Sequence, residues 1–160
     1  MRRSDREVTD IDAIERIVAS AKVLHLGLVD DGRPYVVPLH YGYRLADGAL
    51  TFYMHGAREG RKLDVIRANP RAFVELDCDV EQVGEGDVAC RYGSLYASVM
   101  GEGEACILED ADEKVLGIEL LMRNQTGRDF EVTPQMASAV AVIRVRVPME
   151  SLTAKSRARK

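Results

Sequence analysis

Apolar residues recur with two different periods along the first third of the chain. Between a cap at Thr9 or Asp10 and about Ala21, they return every three or four positions, which is the spacing of a helix with one buried face. The period then shortens to that of strands bounded by turn residues. These strands are expected at residues 23–29, 34–43 and 49–54. We expect the three to form an antiparallel meander.

The second half of the chain continues the same pattern. Further strands are expected at Arg71–Cys78, 94–108 and 139–147. Residues 79–87 predict a loop or hairpin tip, and Gly101 and Gly103 predict a bulge or bend in the long strand. A helix with acidic residues in its first turn is expected at about 109–127, followed by a loop through Pro134. Six or so antiparallel strands with only short helices predict a mainly β (α+β) barrel rather than a parallel doubly wound sheet.

One stretch, Tyr53–Asp64, has the pattern of a turn between a strand and a helix. The apolar strand ends at His55 and Gly56, and a turn of small residues follows. A helix is expected from about Arg58 to Ala68, where Asn-Pro stops it. Backbone N–H groups at the start of a helix are unpaired and carry partial positive charge. The stretch therefore predicts an anion site.

Four residues of this stretch are suited to holding a phosphate group. Gly56 and Gly60 allow a close approach to the backbone, while Arg61 and Lys62 supply positive charge. The alternative is an ordinary connection with an exposed Arg-Lys pair. The GxxxxGK[ST] motif is absent, so a nucleotide-hydrolysing site of that type is not indicated.

Composition limits the class of protein. With 160 residues, 46% of them hydrophobic and 30% charged, the chain is expected to form one domain over residues 1–160, with an N-terminal arm at 1–8 and a basic tail at 154–160. A net charge of −4 and a pI near 5.4 argue against binding to nucleic-acid backbones as the main function. The basic tail is interpreted as a solvated terminus, with a binding arm as the alternative.

The cysteines and the N-terminus are used to predict the cellular localisation of the protein. Cys78, Cys90 and Cys106 are odd in number and lack CxxC spacing, so we expect neither a disulfide framework nor a zinc site, and no nucleophilic role is assigned to Cys90. Reduced thiols fit the cytosol. The N-terminus lacks an apolar signal core, and no apolar run reaches the length of a membrane helix. The predicted localisation is cytoplasmic.

Other polar residues give weaker signals. The three histidines, at His25, His40 and His55, all fall on predicted strands, and their spacing alone does not show that they converge on a metal. Unrelated strand positions are the favoured interpretation, and no metal site is predicted. The acidic positions at 75, 77, 79 and 81 are expected to form a solvated face, because a calcium loop would need a different spacing.

Three motifs in order carry a resemblance to a known family. They are Pro34–Tyr43, then His55-Gly56-Ala57-x-x-Gly60-x-Lys62, and then Tyr96-x-Ser98-Val99-x-Gly101-x-Gly103. The chain resembles the pyridoxamine 5′-phosphate oxidase-like flavoproteins from Arg3 to about Lys155, and within them the nitroimidazole-resistance (Nim-like) branch. The resemblance implies a split β-barrel of the FMN-binding type. It also implies a homodimer with two FMN molecules in clefts between the subunits.

The resemblance also implies site residues. The strand Val36–Tyr43 would lie along the flavin ring, and His55 and Gly56 would lie near the ring or the ribityl chain. The phosphate would be held by Gly60, Arg61 and Lys62. A partner subunit would contribute from around residues 91–98. The expected cofactor contacts are Val37, Pro38, Leu39, His40, Tyr41, His55, Gly56, Gly60, Arg61, Lys62, Ser94 and Tyr96.

Two kinds of side chain keep alternative interpretations. His55 is expected to donate a hydrogen bond or a proton near flavin and substrate, and the alternative is a strand-end histidine bonded to backbone. Tyr35, Tyr41 and Tyr43 alternate, so they are expected to share one side of a strand. That side would either line the isoalloxazine or form a core or dimer face.

The expected function follows from the resemblance. It is an FMN-dependent oxidoreductase acting on a small planar acceptor such as a nitroaromatic, with a small-molecule electron donor. The alternative is a non-catalytic or sensing barrel that holds FMN, coenzyme F420 or haem, whose iron would need one of the three histidines. A cofactor-free dimeric barrel is a third possibility. The chain has no Trp, and its basic C-terminus lacks the setting that grips pyridoxal phosphate, so pyridoxine synthesis is not expected.

Overall fold

Eight antiparallel strands and four α-helices make up the structure, a computed structural model that describes residues 4–158. The helices are α1 (Ile11–Ser20), α2 (Arg61–Ala68), α3 (Ala111–Thr126) and α4 (Pro134–Ser138). The strands are β1 (Leu24–Asp30), β2 (Arg33–Leu39), β3 (Gly42–Ala46), β4 (Ala49–Gly56), β5 (Arg71–Val83), β6 (Gly93–Ile107), β7 (Ala141–Pro148) and β8 (Leu152–Arg157).

The sheet divides at its longest strand. Its order is β2-β1-β5-β6-β7-β4-β3, and β8 pairs with β6 outside this path. One edge of β6 pairs with β5, while the other pairs with β8 at residues 96–101 and with β7 at residues 104–107. The predicted mainly β split barrel is confirmed, with eight strands in place of the six expected.

The core lies inside this curved sheet, with a smaller cluster outside it. Ile14, Ile17 and Val18 of α1 are buried against the strands, as the helical period predicts, and Asp10 caps the helix by accepting from the Ala13 N–H. The smaller cluster joins α3 to the outer side of β4 and β7. Each fully buried aliphatic side chain contributes about 1.5–3 kcal/mol, so the barrel forms a rigid support for its loops.

The predicted three-stranded meander is wrong, because residues 34–43 form two strands and not one. β2 pairs with β1, and β3 pairs with β4. Between them Tyr41 turns into the core, with its hydroxyl 2.6 Å from the Val18 carbonyl oxygen and 2.9 Å from that of Ala21. Its own carbonyl oxygen accepts from side chains of α3 and not from a strand. The chain cannot continue a ladder through a residue bonded in this way.

The region after Cys78 also differs from expectation. β5 continues to Val83, so the predicted loop at 79–87 is wrong for its first half. The register of the β5–β6 pair shifts between Cys78 and Glu81, and Asp79 adopts φ 56°. The residues between these two positions form a β-bulge. At Gly101 and Gly103, where a bulge was expected, the register is unbroken. These glycines instead make room for neighbouring chain segments. A Cβ atom on Gly101 would meet Val147, Ser151 and Leu152, and one on Gly103 would meet Arg146 and Val147 of β7.

Both termini and one loop hold more structure than expected. Ala154 is buried in β8, so the predicted tail at 154–160 is a strand as far as Arg157, and the basic residues at 159 and 160 lie outside the described residues. In the predicted arm at 1–8, of which residues 1–3 also lie outside, the Val8 N–H donates to the Ala154 carbonyl. Helix α4 occupies part of an expected loop, where Thr133 caps it. The sequence of β8 is short and mostly polar, so it carries too weak a hydrophobic period to be recognised as a strand.

Candidate functional site

The turn between β4 and α2 forms the candidate site, which we call the α2 turn (His55–Lys62). Helix α2 begins at Arg61 and not near Arg58, because Gly60 adopts φ 134°, a conformation that favours glycine. Gly60 is the N-cap, and no side chain caps the first turn. A Cβ atom on Gly60 would meet nothing within 4 Å, so the approach to these N–H groups is open. An open, uncapped helix start favours an anion.

The ammonium group of Lys62 lies against the backbone of Gly56, where β4 ends. A Cβ atom on Gly56 would lie 2.8 Å from Lys62 Nζ, so the glycine provides the room that the lysine occupies. Within residues 4–158, no hydrogen bond or ion pair reaches Nζ. Partial burial lowers the pKa of Lys62, because it removes water from the charged form. This cation is the strongest anion-binding feature of the turn.

Arg61 points elsewhere, although it is the neighbour of Lys62. Its guanidinium group contacts Asp30 Oδ2 through Nε at 2.8 Å and through Nη2 at 2.7 Å. The same group stacks over the Tyr35 ring, 4.4 Å from the centroid. The two predicted phosphate residues are therefore separated: Lys62 is unpaired, whereas Arg61 is already balanced by a carboxylate.

His55 lies near both Lys62 and His40, and the two histidines differ in their bonding. The pKa of His55 is lowered by partial desolvation, then by the charge of Lys62, and then by His40. No hydrogen bond holds the His55 ring within the described part of the chain, so the alternative of a backbone-bonded His55 is not found. His40 is the backbone-bonded histidine, with Nδ1 3.0 Å from the Lys22 carbonyl oxygen. When Nδ1 carries the proton for this bond, Nε2 of His40 is an available acceptor or ligand.

The predicted flavin strand has two faces. Val37 and Leu39 are half-buried and pack on the core, whereas Pro38 and His40 are exposed on the opposite face. Tyr41 is completely buried. The prediction that its side chain contacts a flavin is wrong, because the strand ends before it and the ring enters the core. Tyr35 and Tyr43 are half-buried and also pack against the core, as the alternative of a core face predicts, and the Tyr43 hydroxyl lies 3.4 Å from Glu15 Oε1.

The exposed face of β2 continues into an open cleft of about 800 Å³. The cleft is bordered by Pro34 and Val36 of β2, by Phe73 of β5, and by charged residues of β6 and β7. Val36 is 58% exposed and Phe73 41% exposed. This apolar surface next to charged side chains was not identified from the sequence, because it exists only where non-adjacent strands meet.

Ser94 and Tyr96 lie far along the sheet from the α2 turn. His55 pairs with Val142 of β7, and the carbonyl of Val142 accepts from Leu108, directly after β6. Ser94 and Tyr96 are at the opposite end of β6, where Ser94 pairs with Gln82. Within the chain these residues do not share a site with His55, and their contribution from a partner subunit stays a prediction.

The fold defines a split-barrel protein with an uncapped helix start beside a lysine, and comparison with known proteins identifies its family. The sequence profile of the pyridoxamine 5′-phosphate oxidase family matches residues 10–156. The chain therefore belongs to that family, as its motifs predict. Among proteins with curated descriptions, none matches the sequence.

Solved structures with the same fold extend the comparison. A protein of Bacteroides thetaiotaomicron assigned to 5-nitroimidazole antibiotic resistance is 28% identical, with a TM-score of 0.76 over 93% of this chain and 85% of that chain. A flavocytochrome of Azotobacter vinelandii is 18% identical, with a TM-score of 0.75 over 99% and 72%. A protein of Mycobacterium smegmatis that binds FAD and haem is 16% identical, with a TM-score of 0.78 over 96% and 74%. The last two show the fold alone.

Membrane insertion through a helix is not indicated for the part of the chain described. None of the helices within residues 4–158 combines the length and the apolar character needed to span a bilayer.

Proposed function

We propose that the protein is an FMN-dependent oxidoreductase that acts as a homodimer on a small planar acceptor, such as a nitroaromatic compound. The observation that carries this proposal is the half-buried Lys62 at the open start of α2, whose ammonium group has no partner among residues 4–158. Family membership and the structural similarity to a nitroimidazole-resistance protein support the flavin chemistry. Bound FMN would supply the electron transfer, and the residues of the chain would bind and orient it.

The α2 turn fits a phosphate group. The open N–H groups after Gly60 and the ammonium group of Lys62 would each donate to phosphate oxygens. Arg61 would need to leave Asp30 to do the same, so its exchange of partners contributes less net free energy. Lys62 is therefore the principal phosphate residue, and Arg61 is secondary.

The exposed face of β2 would support the flavin ring. Pro38 and His40 present their side chains on this face, while Val37 and Leu39 hold the strand against the core from behind. The adjoining cleft at Val36 gives a planar acceptor an apolar surface. Tyr41 contributes through its position in the core, which determines where β2 ends.

His55 would orient ligand and substrate at the start of the turn. Because the pKa of His55 lies below its ordinary value, the ring is neutral at pH 7 and donates one N–H while accepting at its other nitrogen. A phosphate near Lys62 would offset the positive charge that lowers this pKa. His55 would then be able to hold and deliver a proton closer to neutral pH.

A second subunit would complete the site. Ser94 and Tyr96 lie on β6 where it pairs with β5 at and beyond the bulge at residues 78–81, and this end of the hairpin carries the exposed side chains of Val80 and Tyr92. Such a hairpin is marginally stable by itself, so coverage by a second copy would stabilise it. Light scattering should give about twice the chain mass of 17.7 kDa, and a native mass near 17.7 kDa would contradict the dimer.

The direct test is the absorbance spectrum of the purified protein, with identification of the chromophore released by heat. Flavin bands and released FMN would support the proposal, and nitroaromatic reduction by the reduced protein would then establish the substrate class. A colourless protein that also fails to bind added FMN would contradict it. The Lys62→Met variant, matched by Arg61→Met, tests the assigned phosphate contact.

Haem is the second candidate, and His40 is the observation that favours it. Its Nδ1 atom forms a hydrogen bond with the Lys22 carbonyl oxygen, which fixes the ring and leaves Nε2 available to coordinate iron. A Soret band in the purified protein, lost in His40→Gln but retained in His55→Gln, would support haem. A spectrum with flavin bands alone would reject it.

A further inference from the structure

A second cluster of polar side chains lies on the exposed face of the sheet, apart from the α2 turn. His25 of β1 and Glu75 of β5 are opposite each other in the ladder, so their side chains share one face. His25 Nδ1 is 2.9 Å from Glu75 Oε2. Asp77 follows two positions after Glu75 on the same strand and therefore lies on the same face. One ligand atom from each of the three residues lies within 4.8 Å of the other two.

The negative charge of this cluster is not balanced by protein cations. Within residues 4–158, neither Glu75 nor Asp77 forms an ion pair with a lysine or arginine. Among the described residues, the basic group in contact with the cluster is the His25 imidazole. Two carboxylates held together on rigid strands repel each other unless a cation lies between them. The cluster therefore has the charge as well as the atoms for a cation.

We infer that His25, Glu75 and Asp77 form a binding site for a divalent transition-metal ion such as Zn²⁺ or Co²⁺. One imidazole nitrogen and two carboxylate oxygens are a ligand set that these ions accept, with bond lengths of about 2.0–2.2 Å. Ligand atoms around a tetrahedral ion lie about 3.4 Å apart, so small side-chain rotations close the observed spacing. Three protein ligands leave a further position for water or a small ligand.

The cluster lies beside the exposed face of β2, but metal binding to it would not require flavin. His25 is the ladder partner of Pro38, so a metal here would lie beside the exposed face of β2. The ligands come from two adjacent strands and not from the α2 turn. Metal binding is therefore testable whether or not the protein binds FMN.

The alternative is that His25 and Glu75 form an ordinary hydrogen-bonded pair, with Asp77 a solvated neighbour. The two possibilities differ in the role of Asp77. Asp77→Asn should leave a simple His25–Glu75 hydrogen bond unchanged, because the Asp77 carboxylate takes no part in that bond. A metal site loses a ligand, and loss of a ligand should weaken affinity by at least about tenfold.

The experiment is a titration of the purified, metal-free protein with Zn²⁺ by calorimetry and with Co²⁺ by difference absorbance, any retained chromophore being the baseline. We expect one ion per chain, with the visible bands of four- or five-coordinate cobalt. Asp77→Asn and His25→Gln should each raise the Kd at least about tenfold. The matched control is Glu102→Gln, an exposed carboxylate on the same sheet opposite Phe73, which should leave the Kd unchanged.

Three results would overturn the assignment. They are no binding at metal concentrations comparable to that of the protein, equal weakening by Glu102→Gln, and unchanged affinity in Asp77→Asn. Because Asp77 is exposed and Asn is isosteric, this variant should fold, which circular dichroism checks. A folded variant with unaltered affinity would show that Asp77 is not a ligand, which contradicts the three-residue site.

Discussion

The region around Tyr41 and the α2 turn use polar groups in opposite ways. In the Tyr41 region, the hydroxyl is bonded to the end of α1, and the carbonyl oxygen accepts from Asn124 at 3.0 Å and Gln125 at 2.9 Å. In the α2 turn, Lys62 has no partner within residues 4–158, and the helix start has no side-chain cap. The first region satisfies its own polar atoms, and the second leaves them for a ligand.

The two regions differ in how burial affects their ionisable groups. Desolvation raises the pKa of the Tyr41 hydroxyl well above its ordinary range, so it stays protonated and acts as a fixed donor. Desolvation lowers the pKa of Lys62, so its charge is held at a cost that an anion would offset. Breaking the first region should affect stability, whereas breaking the second should affect ligand binding.

Tyr41→Ala should have the largest effect, on stability. Removing a completely buried aromatic ring should lower the free energy of unfolding by about 3–5 kcal/mol. Tyr41→Phe should cost about 1–3 kcal/mol, because carbonyl groups at the end of α1 lose their donor. Urea denaturation followed by circular dichroism measures both.

The matched control for Tyr41 is Tyr43→Phe. Its hydroxyl is half-buried, and its contact to Glu15 is 3.4 Å long, so we expect a change below about 1 kcal/mol. If Tyr41→Phe were no more destabilising than Tyr43→Phe, the interpretation of Tyr41 as a structural residue would be wrong.

Lys62→Met should have the next largest effect, on ligand binding. Loss of a charge-assisted bond to phosphate should weaken FMN binding by about 1.5–3 kcal/mol, measured by fluorescence titration. Unfolding free energy should change little, because Nζ has no partner within the described residues. Arg61→Met should weaken FMN binding less, because Asp30 already balances that charge. An Arg61 effect equal to or larger than that of Lys62 would reverse the assignment.

Gly56→Ala should reduce FMN affinity by less than Lys62→Met. The added Cβ would lie 2.8 Å from Lys62 Nζ, and the flexible end of the lysine would move away. In the double variant Gly56→Ala/Lys62→Met, the alanine should add little further loss, because it acts through the lysine. Additive losses in this double-mutant cycle would show that Gly56 contacts the ligand independently.

The smallest effect concerns the titration of His55. Lys62→Met should raise the pKa of His55, because it removes a neighbouring positive charge. Desolvation is the larger cause and remains, so the pKa should stay below the ordinary value of about 6.5. NMR titration of the ring proton measures the change, and a fall in this pKa would contradict the proximity of the two groups.

The lowered pKa of His55 also makes the free energy of unfolding depend on pH. Since the pKa of His55 is lower in the folded chain than in the unfolded one, the unfolded chain binds more protons in the range between the two values. The contribution of this histidine to stability is therefore present above about pH 6.5 and is lost as pH falls through the unfolded pKa towards the folded one. His55→Gln should remove this part of the pH dependence of unfolding.

Much of the fold could be predicted from local sequence patterns. The isoleucine spacing of α1, the Asn69-Pro70 stop after α2 and the alternation at the start of β5 depend on neighbours within one element, so their period is visible in the chain. β8 and the continuation of β5 beyond its bulge could not be predicted, because their polar sequences become strands only through pairing with β6.

The candidate site divides in the same way. The glycines and basic residues of the α2 turn could be identified from sequence, because a strand end, a small-residue turn and a helix start are all local. Tertiary contacts were needed to show that Asp30 holds Arg61, that Lys62 has no partner among residues 4–158, and that Tyr41 enters the core. It also brought His25 to Glu75 and Asp77. Those outcomes depend on contacts between residues far apart in the chain, which no local period encodes.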